Sequence, residues 1–240
     1  MSGRAFVDLH CHTRASFDCL SAPASVVKAA AERGLTHLAI TDHDRIDGAL
    51  EARELAPAGL TVLIGEEVKT RDGDLICVLL ERAIPPGMSA DETIAAAREQ
   101  GALVGIPHPF DRLRGSLLRE ARLESLGASV DWVETHNARV VGHGNERAAA
   151  YARERGLPGV AVSDAHSILE IGVAYAALDG DPSTAAGLLE ALSRVELVPG
   201  RASMVIRAWT PFAKVVQRAR GNRRISPTPS HLAGDHGEPS

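Results

Sequence analysis

The feature that most constrains this chain is a pair of histidines closing its first apolar segment, Val7-Asp8-Leu9-His10-Cys11-His12. In an extended strand, residues two apart point to the same side. His10 and His12 can therefore direct two imidazoles at one cation, a common role for histidine. A pair of surface or hydrogen-bonded core histidines would show the same spacing, so this pair alone leaves both interpretations open.

Composition is that of an ordinary globular protein. The 240 residues are 45% hydrophobic and 24% charged, enough for one large core, and the net charge of −5 excludes a global basic field for nucleic-acid backbones. We therefore expect no stable binding to duplex nucleic acid. The three cysteines form no C-x-x-C pair, which favours a reducing cytoplasm. No run approaches the roughly 18 apolar residues of a membrane span, so we expect no membrane partner.

Helical and strand patterns alternate along the chain. Strands are predicted at the N-terminus and over His37–Ile40, Thr61–Val68, Leu75–Leu80, Leu103–Ile106, Asp131–Thr135, Val160–Val162 and Val195–Val198. Helices are predicted over Pro23–Arg33, Gly48–Leu55, Ser89–Gly101, Leu117–Leu126, Asn145–Arg155 and Asp181–Ser193. The alternation favours a mostly parallel sheet, closed or open, with a hairpin at Asp72-Gly73.

The composition changes near the C-terminus. From Gln217 onward the chain is rich in Arg, Ser, Pro, Thr and Gly and has hardly any apolar residues. Such a segment cannot bury enough apolar surface to fold alone. We therefore expect one domain over residues 1–216 and a disordered tail over residues 217–240.

Polar residues with metal-binding side chains recur where apolar strands end. They are His10, His12, Asp18, His43, Glu67, His108, His136, Asp164 and His166. The carboxyl ends of parallel strands share one rim, where binding residues collect. Imidazole and carboxylate donors without thiolates suit Zn²⁺, Mn²⁺ or Fe²⁺, and so many exceed one tetrahedral site. Each residue also has an ordinary structural interpretation, but the recurrence predicts two or three divalent ions.

Five motifs together resemble the polymerase and histidinol phosphatase (PHP) superfamily of metal-dependent phosphoesterases. They are D-L-H-C-H-T with S-F-D behind it, I-T-D-H-D, I-G-E-E-V, G-I-P-H-P-F-D and S-D-A-H, in family order over residues 8–166, and L-E-I-G follows at residues 169–172. The resemblance covers about four-fifths of the chain. It implies a distorted (β/α)₇ barrel, similar to a TIM barrel, with a metal cluster at the C-terminal rim of the strands.

The resemblance also implies a role for each motif residue. His10, His12, Glu67 and Asp164 would hold a first metal; Glu67 would bridge to a second, which His108 also binds; Asp18, His43 and His166 would hold a third. Glu67 is preferred to Glu66 because the family pattern is Gly-x-Glu. A further ligand of the second metal normally comes from the segment 134–144, where His136 and His143 compete. Relatives often carry a histidine where this chain has Cys77.

The activity implied is phosphoester hydrolysis, in which a metal-bound hydroxide attacks phosphorus. Asp164 and His43 are the candidate catalytic residues, the latter as one possible acid for the leaving group. Arg112 and Arg139 lie near the motifs and could clamp a substrate phosphate, although solvent-exposed arginines would look the same.

Three functional interpretations stay open. The first is a phosphatase or 5′-3′ exonuclease acting on nucleotides, nucleoside bisphosphates or 5′ ends of short oligonucleotides. The second is a small-molecule phosphatase of the histidinol-phosphate type. The third is a non-catalytic metal-binding structural module, which loss of ligands would indicate. All ligand positions that align outside the segment 134–144 carry coordinating residue types.

Overall fold

The structure, a computed structural model, describes residues 3–111, 120–127 and 129–224. Strands and helices alternate through most of this range. The strands are β1 (Arg4–Cys11), β2 (His37–Ile40), β3 (Thr61–Lys69), β4 (Asp74–Val78), β5 (Leu103–Ile106), β6 (Trp132–Asn137), β7 (Gly159–Val162), β8 (Tyr175–Asp179) and β9 (Glu196–Val198). The helices are α1 (Pro23–Glu32), α2 (Asp47–Leu55), α3 (Ala90–Arg98), α4 (Glu120–Leu126), α5 (Gly144–Arg155), α6 (Ala185–Leu192), α7 (Met204–Arg207) and α8 (Trp209–Ala219).

Within the described ranges the strands form one sheet that nearly closes on itself. Their order is β7-β6-β5-β4-β3-β2-β1-β8-β9. Beyond the end of β7, a parallel bridge joins Cys11 to Ala165, and the Asp164 amide donates to the His10 carbonyl at 2.9 Å. These bonds bring the first and seventh strands together at their carboxyl ends. The barrel implied by the resemblance is confirmed.

The distortion of the barrel comes from its antiparallel pairs. Strand β4 runs antiparallel to both β3 and β5, and the predicted Asp-Gly hairpin is the β3–β4 connection. Strand β8, which the sequence patterns did not predict, pairs antiparallel with β1 and carries β9 on its other edge. The sheet is therefore mixed, whereas strict strand–helix alternation would make it wholly parallel.

Two apolar layers line the two faces of the sheet. The inner layer takes one to three side chains from every strand from β1 to β8, together with Leu188, Ala191 and Leu192 of α6. The outer layer packs the opposite faces of the strands against α1, α2 and α3. Gly105 belongs to this arrangement because a side chain there would overlap the buried Trp132 ring. Alternation of side chains across the sheet thus leaves the carboxyl rim for polar residues.

The C-terminal helix α8 extends past the boundary expected at residue 217. Gln217 lies inside α8, is 3% exposed and contacts the loop after β1. The ordered domain therefore includes residues that composition assigned to a tail, and residues 225–240 lie outside the described part of the chain. No helix in the described ranges is long and apolar enough to cross a membrane.

Candidate metal centre

The first histidine pair meets two carboxylates at the barrel rim. His10 Nε2 lies 2.9 Å from His12 Nε2 and 3.2 Å from Glu67 Oε2. His12 Nε2 lies 3.4 Å from Glu67 Oε2 and 3.4 Å from Asp164 Oδ1. Four ligands about 2.1 Å from one ion in tetrahedral geometry are about 3.4 Å apart. The spacing of these buried atoms therefore matches one coordination sphere.

A second group of donors adjoins the first. Asp18 Oδ2 lies 3.5 Å from His43 Nε2 and 3.4 Å from His166 Nε2. One nitrogen each of His12, His43 and His166 also lie within 4.8 Å of one another. His12 thus stands between the two groups, which supports ions placed side by side.

Glu67 connects these groups to His108. Its Oε2 lies 3.2 Å from His43 Nδ1, and its Oε1 lies 3.5 Å from His108 Nε2. The two oxygens of one carboxylate therefore face different imidazoles, as a bridging ligand requires. Glu66, the neighbouring residue, points to the other face of β3, where its Oε2 accepts a hydrogen bond from the Ile84 amide. The structure thus brings Glu67, and not Glu66, to the cluster.

Sequence reasoning missed two residues of the cluster, Glu134 and Asn137. Glu134 Oε1 lies 2.6 Å from His10 Nδ1, and its Oε2 accepts hydrogen bonds from the His108 amide and Asn137 Nδ2. The Asn137 amide also donates to Asp164 Oδ2 at 3.0 Å. Both residues lie on β6, whose position beside His108 could have directed attention to Glu134. Carboxylates that orient a ligating histidine in this way are common around metal sites.

The two histidines expected to compete for the second metal lie elsewhere. His136 Nε2 contacts the Gly200 carbonyl oxygen at 2.7 Å, and a bulge in β6 separates His136 from Glu134. The His143 side chain is 91% exposed at the start of α5. Neither is among the donors that converge in the described residues. Cys77 pairs across the sheet with Glu66, on the face away from the cluster.

Of the two arginines expected to contact substrate, the structure describes Arg139 alone. Arg112 lies outside the described residues. Arg139 is buried, and its guanidinium donates to Glu170 Oε1 at 2.6 Å and to Thr210 Oγ1 at 2.7 Å. Glu170 in turn accepts from the His166 amide. Arg139 therefore braces the His166 loop against α8, and its guanidinium is engaged within the protein.

Two carboxylates of the cluster, Asp18 and Glu67, have pKa values well below the usual range. Burial by itself raises the pKa of Asp18, but His166 and His43 bring that pKa well below its usual value. Burial likewise opposes ionisation of Glu67, yet His43 and the hydrogen bond from His10 lower the pKa of Glu67 well below its usual value. Ionised carboxylates buried in this way require nearby positive charge.

Without metal ions, the nearby positive charge has to come from protonated imidazoles, and the pKa values of His10 and His12 differ in direction. Burial disfavours a charged His10, but Glu134 and Asp164 raise its pKa well above the usual value. Burial and the nearby His166 lower the pKa of His12 well below its usual value. A proton on His10 thus partly offsets carboxylates that divalent ions would offset more fully.

Backbone conformation also marks the cluster. His108 and Asp164 are in the left-handed region, with φ of 27° and 51°. Few residues other than glycine adopt it, and such conformations cost of order 1–3 kcal/mol unless the surroundings impose them. His108 lies two residues after the end of β5 and Asp164 two residues after the end of β7, so each unusual turn places its side chain at the rim.

The donor set fits divalent metal ions. It contains buried imidazole nitrogens and carboxylate oxygens without a thiolate, which is a set that Zn²⁺, Mn²⁺ and Fe²⁺ accept. Asp18 Oδ1 is buried and has no hydrogen-bond partner among the described residues, so a ligand position is available there. The buried clusters thus suit more than one metal ion, as the sequence predicted.

Comparison with known proteins identifies the family. The family model of the PHP domain matches residues 8–119, and that of the PHP-associated region matches residues 142–196. The chain is 36% identical to an uncharacterized protein of Methanocaldococcus jannaschii over 142 residues, covering 55% of this chain and 81% of that protein. The chain belongs to the PHP domain family. The resemblance inferred from the motifs is therefore confirmed.

Two further comparisons place this PHP domain chain among its relatives. It is 32% identical over 117 residues to a 5′-3′ exoribonuclease of Haemophilus influenzae. The match covers 43% of this chain and 42% of that protein. Its fold is similar to a two-domain protein from Bacteroides vulgatus that contains a predicted PHP-like metal-dependent phosphoesterase. That match has a TM-score of 0.70 at 17% identity and covers 88% of this chain and 70% of the other. The similarity to the Bacteroides vulgatus protein concerns the fold alone.

Proposed function

We propose that this protein is a metal-dependent phosphoesterase that hydrolyses phosphate esters of nucleotides, nucleoside bisphosphates or the 5′ ends of short oligonucleotides. The observation that carries the proposal is the sharing of Glu67 and His12 between adjoining donor groups, which supports neighbouring ions as phosphoryl transfer uses them. The partial match to the 5′-3′ exoribonuclease supports a nucleotide or oligonucleotide end as substrate.

The chain's own residues would divide the work as follows. His10, His12, Glu67 and Asp164 would hold one ion, Glu67 and His108 a second, and Asp18, His43 and His166 a third. Bound divalent ions supply Lewis acidity to phosphoryl oxygens and lower the pKa of water to near neutrality. Mn²⁺, Zn²⁺ and Fe²⁺ all fit the donor types, so two or three ions of these kinds are proposed.

His43 has the geometry of a residue with two tasks. Its Nδ1 faces Glu67 and its Nε2 faces Asp18, at 3.2 and 3.5 Å, while Phe17 packs against the ring. The pKa of His43 is raised, because Glu67 and Asp18 outweigh the opposing effect of burial. One ring nitrogen would bind an ion, and we propose His43 as one candidate acid for the leaving group.

The test is phosphate release by metal-loaded protein from a panel of substrates. The panel contains 5′-phosphorylated oligonucleotides, nucleoside 3′,5′-bisphosphates, nucleoside monophosphates and histidinol phosphate, with Asp164→Asn as the matched inactive control. We expect turnover of one of the nucleotide classes to be at least 100-fold above that of the control. This ratio corresponds to a loss of about 3 kcal/mol in transition-state stabilisation in Asp164→Asn. Turnover no higher than that of the control on every member would refute an enzyme and favour a structural module.

The same panel separates the two enzymatic interpretations. Preferential turnover of histidinol phosphate would replace the nucleotide assignment by the small-molecule phosphatase. Metal content measured on the same sample tests the ligands, because fewer than two equivalents after reconstitution would contradict the proposed shared site.

A further inference from the structure

Helix α8 is attached to the loop that carries Asp18. The buried Gln217 amide contacts three carbonyl oxygens of that loop, those of Arg14, Ser16 and Cys19, at 2.7, 3.0 and 2.6 Å. Thr210, two turns earlier, accepts the hydrogen bond from Arg139 that reaches the His166 loop through Glu170. The face of α8 that carries these residues is therefore fixed over the Asp18–His43–His166 end of the cluster.

Lys214 lies on this same face, between Thr210 and Gln217. Its Nζ is 3.9 Å from Asp18 Oδ2 and 5.3 Å from the centre of the Phe17 ring. The Lys214 side chain is 52% exposed, whereas that of Asp18 is 5% exposed. The ammonium group thus lies between solvent and the buried Asp18 carboxylate.

The contact between Lys214 and Asp18 is loose. A distance of 3.9 Å is too long for a hydrogen bond, so none of the three donors of the ammonium group is bonded to Asp18 Oδ2. An ion that took up Asp18 would also neutralise the attraction that draws Lys214 toward it. The ammonium group would then be available to another anion, and the flexible side chain allows it to move there.

Two other cations that the structure describes near this end of the cluster, Arg139 and Arg224, are already engaged. The Arg139 guanidinium is buried against Glu170 and Thr210. Arg224 forms ion pairs with Asp44 and Asp74 at 3.0 and 2.9 Å and is 16% exposed. The sequence analysis expected Arg139 to bind a substrate phosphate, and Lys214 fits that role better.

We propose that Lys214 binds the phosphoryl group of the substrate at the Asp18–His43–His166 end of the cluster. The proposal rests on the proposed phosphoesterase function and adds to it a substrate-binding residue from outside the five motifs that carry the metal-binding residues. Its ligand is a phosphate monoester dianion or inorganic phosphate, which meets the half-exposed ammonium before it reaches the buried donors.

The test is the affinity of metal-loaded protein for inorganic phosphate, measured by isothermal titration calorimetry, alongside KM for the substrate identified in the panel. Lys214→Gln should weaken phosphate binding and raise KM by about 10-fold, the lower end expected for a hydrogen bond to a charged group at a half-exposed site. Lys214→Arg should restore most of the affinity. Lys28→Gln, on the exposed face of α1, is the matched control and should bind phosphate like the wild type.

Several results would overturn the proposal. Equal phosphate affinity of Lys214→Gln and wild type would refute it, and turnover by the wild type would leave the proposed function standing. Loss of metal from Lys214→Gln, measured by elemental analysis, would show that Lys214 supports Asp18 and does not bind the anion. If the wild type shows no turnover, the proposed function fails, and phosphate affinity still decides the role of Lys214.

Discussion

Glu66 and Glu67 are adjacent acids that the barrel places in opposite environments, and this difference can be tested. Burial raises the pKa of Glu66 from 4.5 to about 8; the Ile84 amide partly opposes this rise, and Asp44 adds to it. Glu66 therefore binds a proton more tightly in the folded protein than in the unfolded chain. Stability should fall as pH rises from about 4.5 toward 8, because the unfolded chain releases that proton first.

The size of the effect follows from linkage between protonation and folding. Shifting a carboxyl pKa from 4.5 to about 8 costs about 1–2 kcal/mol of stability at pH 5.5 and about 4–5 kcal/mol at pH 8.5. Glu66→Gln has the shape of the neutral acid and retains an oxygen for the Ile84 amide. The difference in unfolding free energy between Glu66→Gln and wild type should therefore grow by about 3 kcal/mol in favour of the variant over this range.

The assay is urea unfolding of both metal-free proteins at about pH 5.5, 7.0 and 8.5. Glu54→Gln on the exposed surface of α2 is the control, and its difference from wild type should stay within about 0.5 kcal/mol at every pH. A difference for Glu66→Gln that does not change with pH would refute the reasoning. Metal content provides a second contrast, since Glu66→Gln should keep the ions that Glu67→Gln loses.

Three further predictions concern residues around the cluster. Glu134→Gln should lower metal affinity by about 10- to 100-fold, because His10 loses the carboxylate that orients its ring; unchanged affinity in a competition titration with a chelator would contradict this role. Gln217→Leu should destabilise the protein by about 2–3 kcal/mol, since it leaves buried carbonyls unpaired, and should lower the melting temperature by about 4–12 °C; a shift under 2 °C would be too small. His136→Ala and His143→Ala should each bind as much metal as the wild type, and loss of an equivalent from either would restore it as a ligand.

Most of the fold could be predicted because it depends on local patterns. The capping box at Ser89 starts α3 as expected, and the Asp-Gly pair forms the β3–β4 turn. Strand β8 was missed although its residues are apolar, because the predicted alternation had no place for a strand that follows β7 without a helix. Helix α8 was not predicted, and its last turn was assigned to a tail because the basic residues from Arg218 onward resemble a solvated segment. Its buried anchor, Gln217, is a polar residue.

The donor cluster could be predicted wherever a motif carries its own spacing. His10 and His12 lie two apart at the end of β1, and Asp164 and His166 follow β7 with the same spacing. Glu134 could not be separated from His136 by spacing, because the bulge in β6 shifts the alternation of side chains between those two positions. A one-residue shift moves a side chain to the other face of a sheet. For this reason His136 and His143 were predicted as ligands of the second metal, whereas the structure places the Glu134 carboxylate in the cluster.

The position of Lys214 follows from tertiary structure alone. About 200 residues separate Gln217 from the carbonyls that hold it, and no local pattern links the two segments. The contact of Gln217 with these carbonyls nevertheless fixes which face of α8 is turned toward the cluster. Lys214 lies one turn from Gln217 on that face. If Gln217→Leu releases the helix, Lys214 loses its place beside Asp18 although its own side chain is unchanged. Phosphate affinity of Gln217→Leu should then fall with that of Lys214→Gln, and the two changes combined should weaken binding little more than either alone.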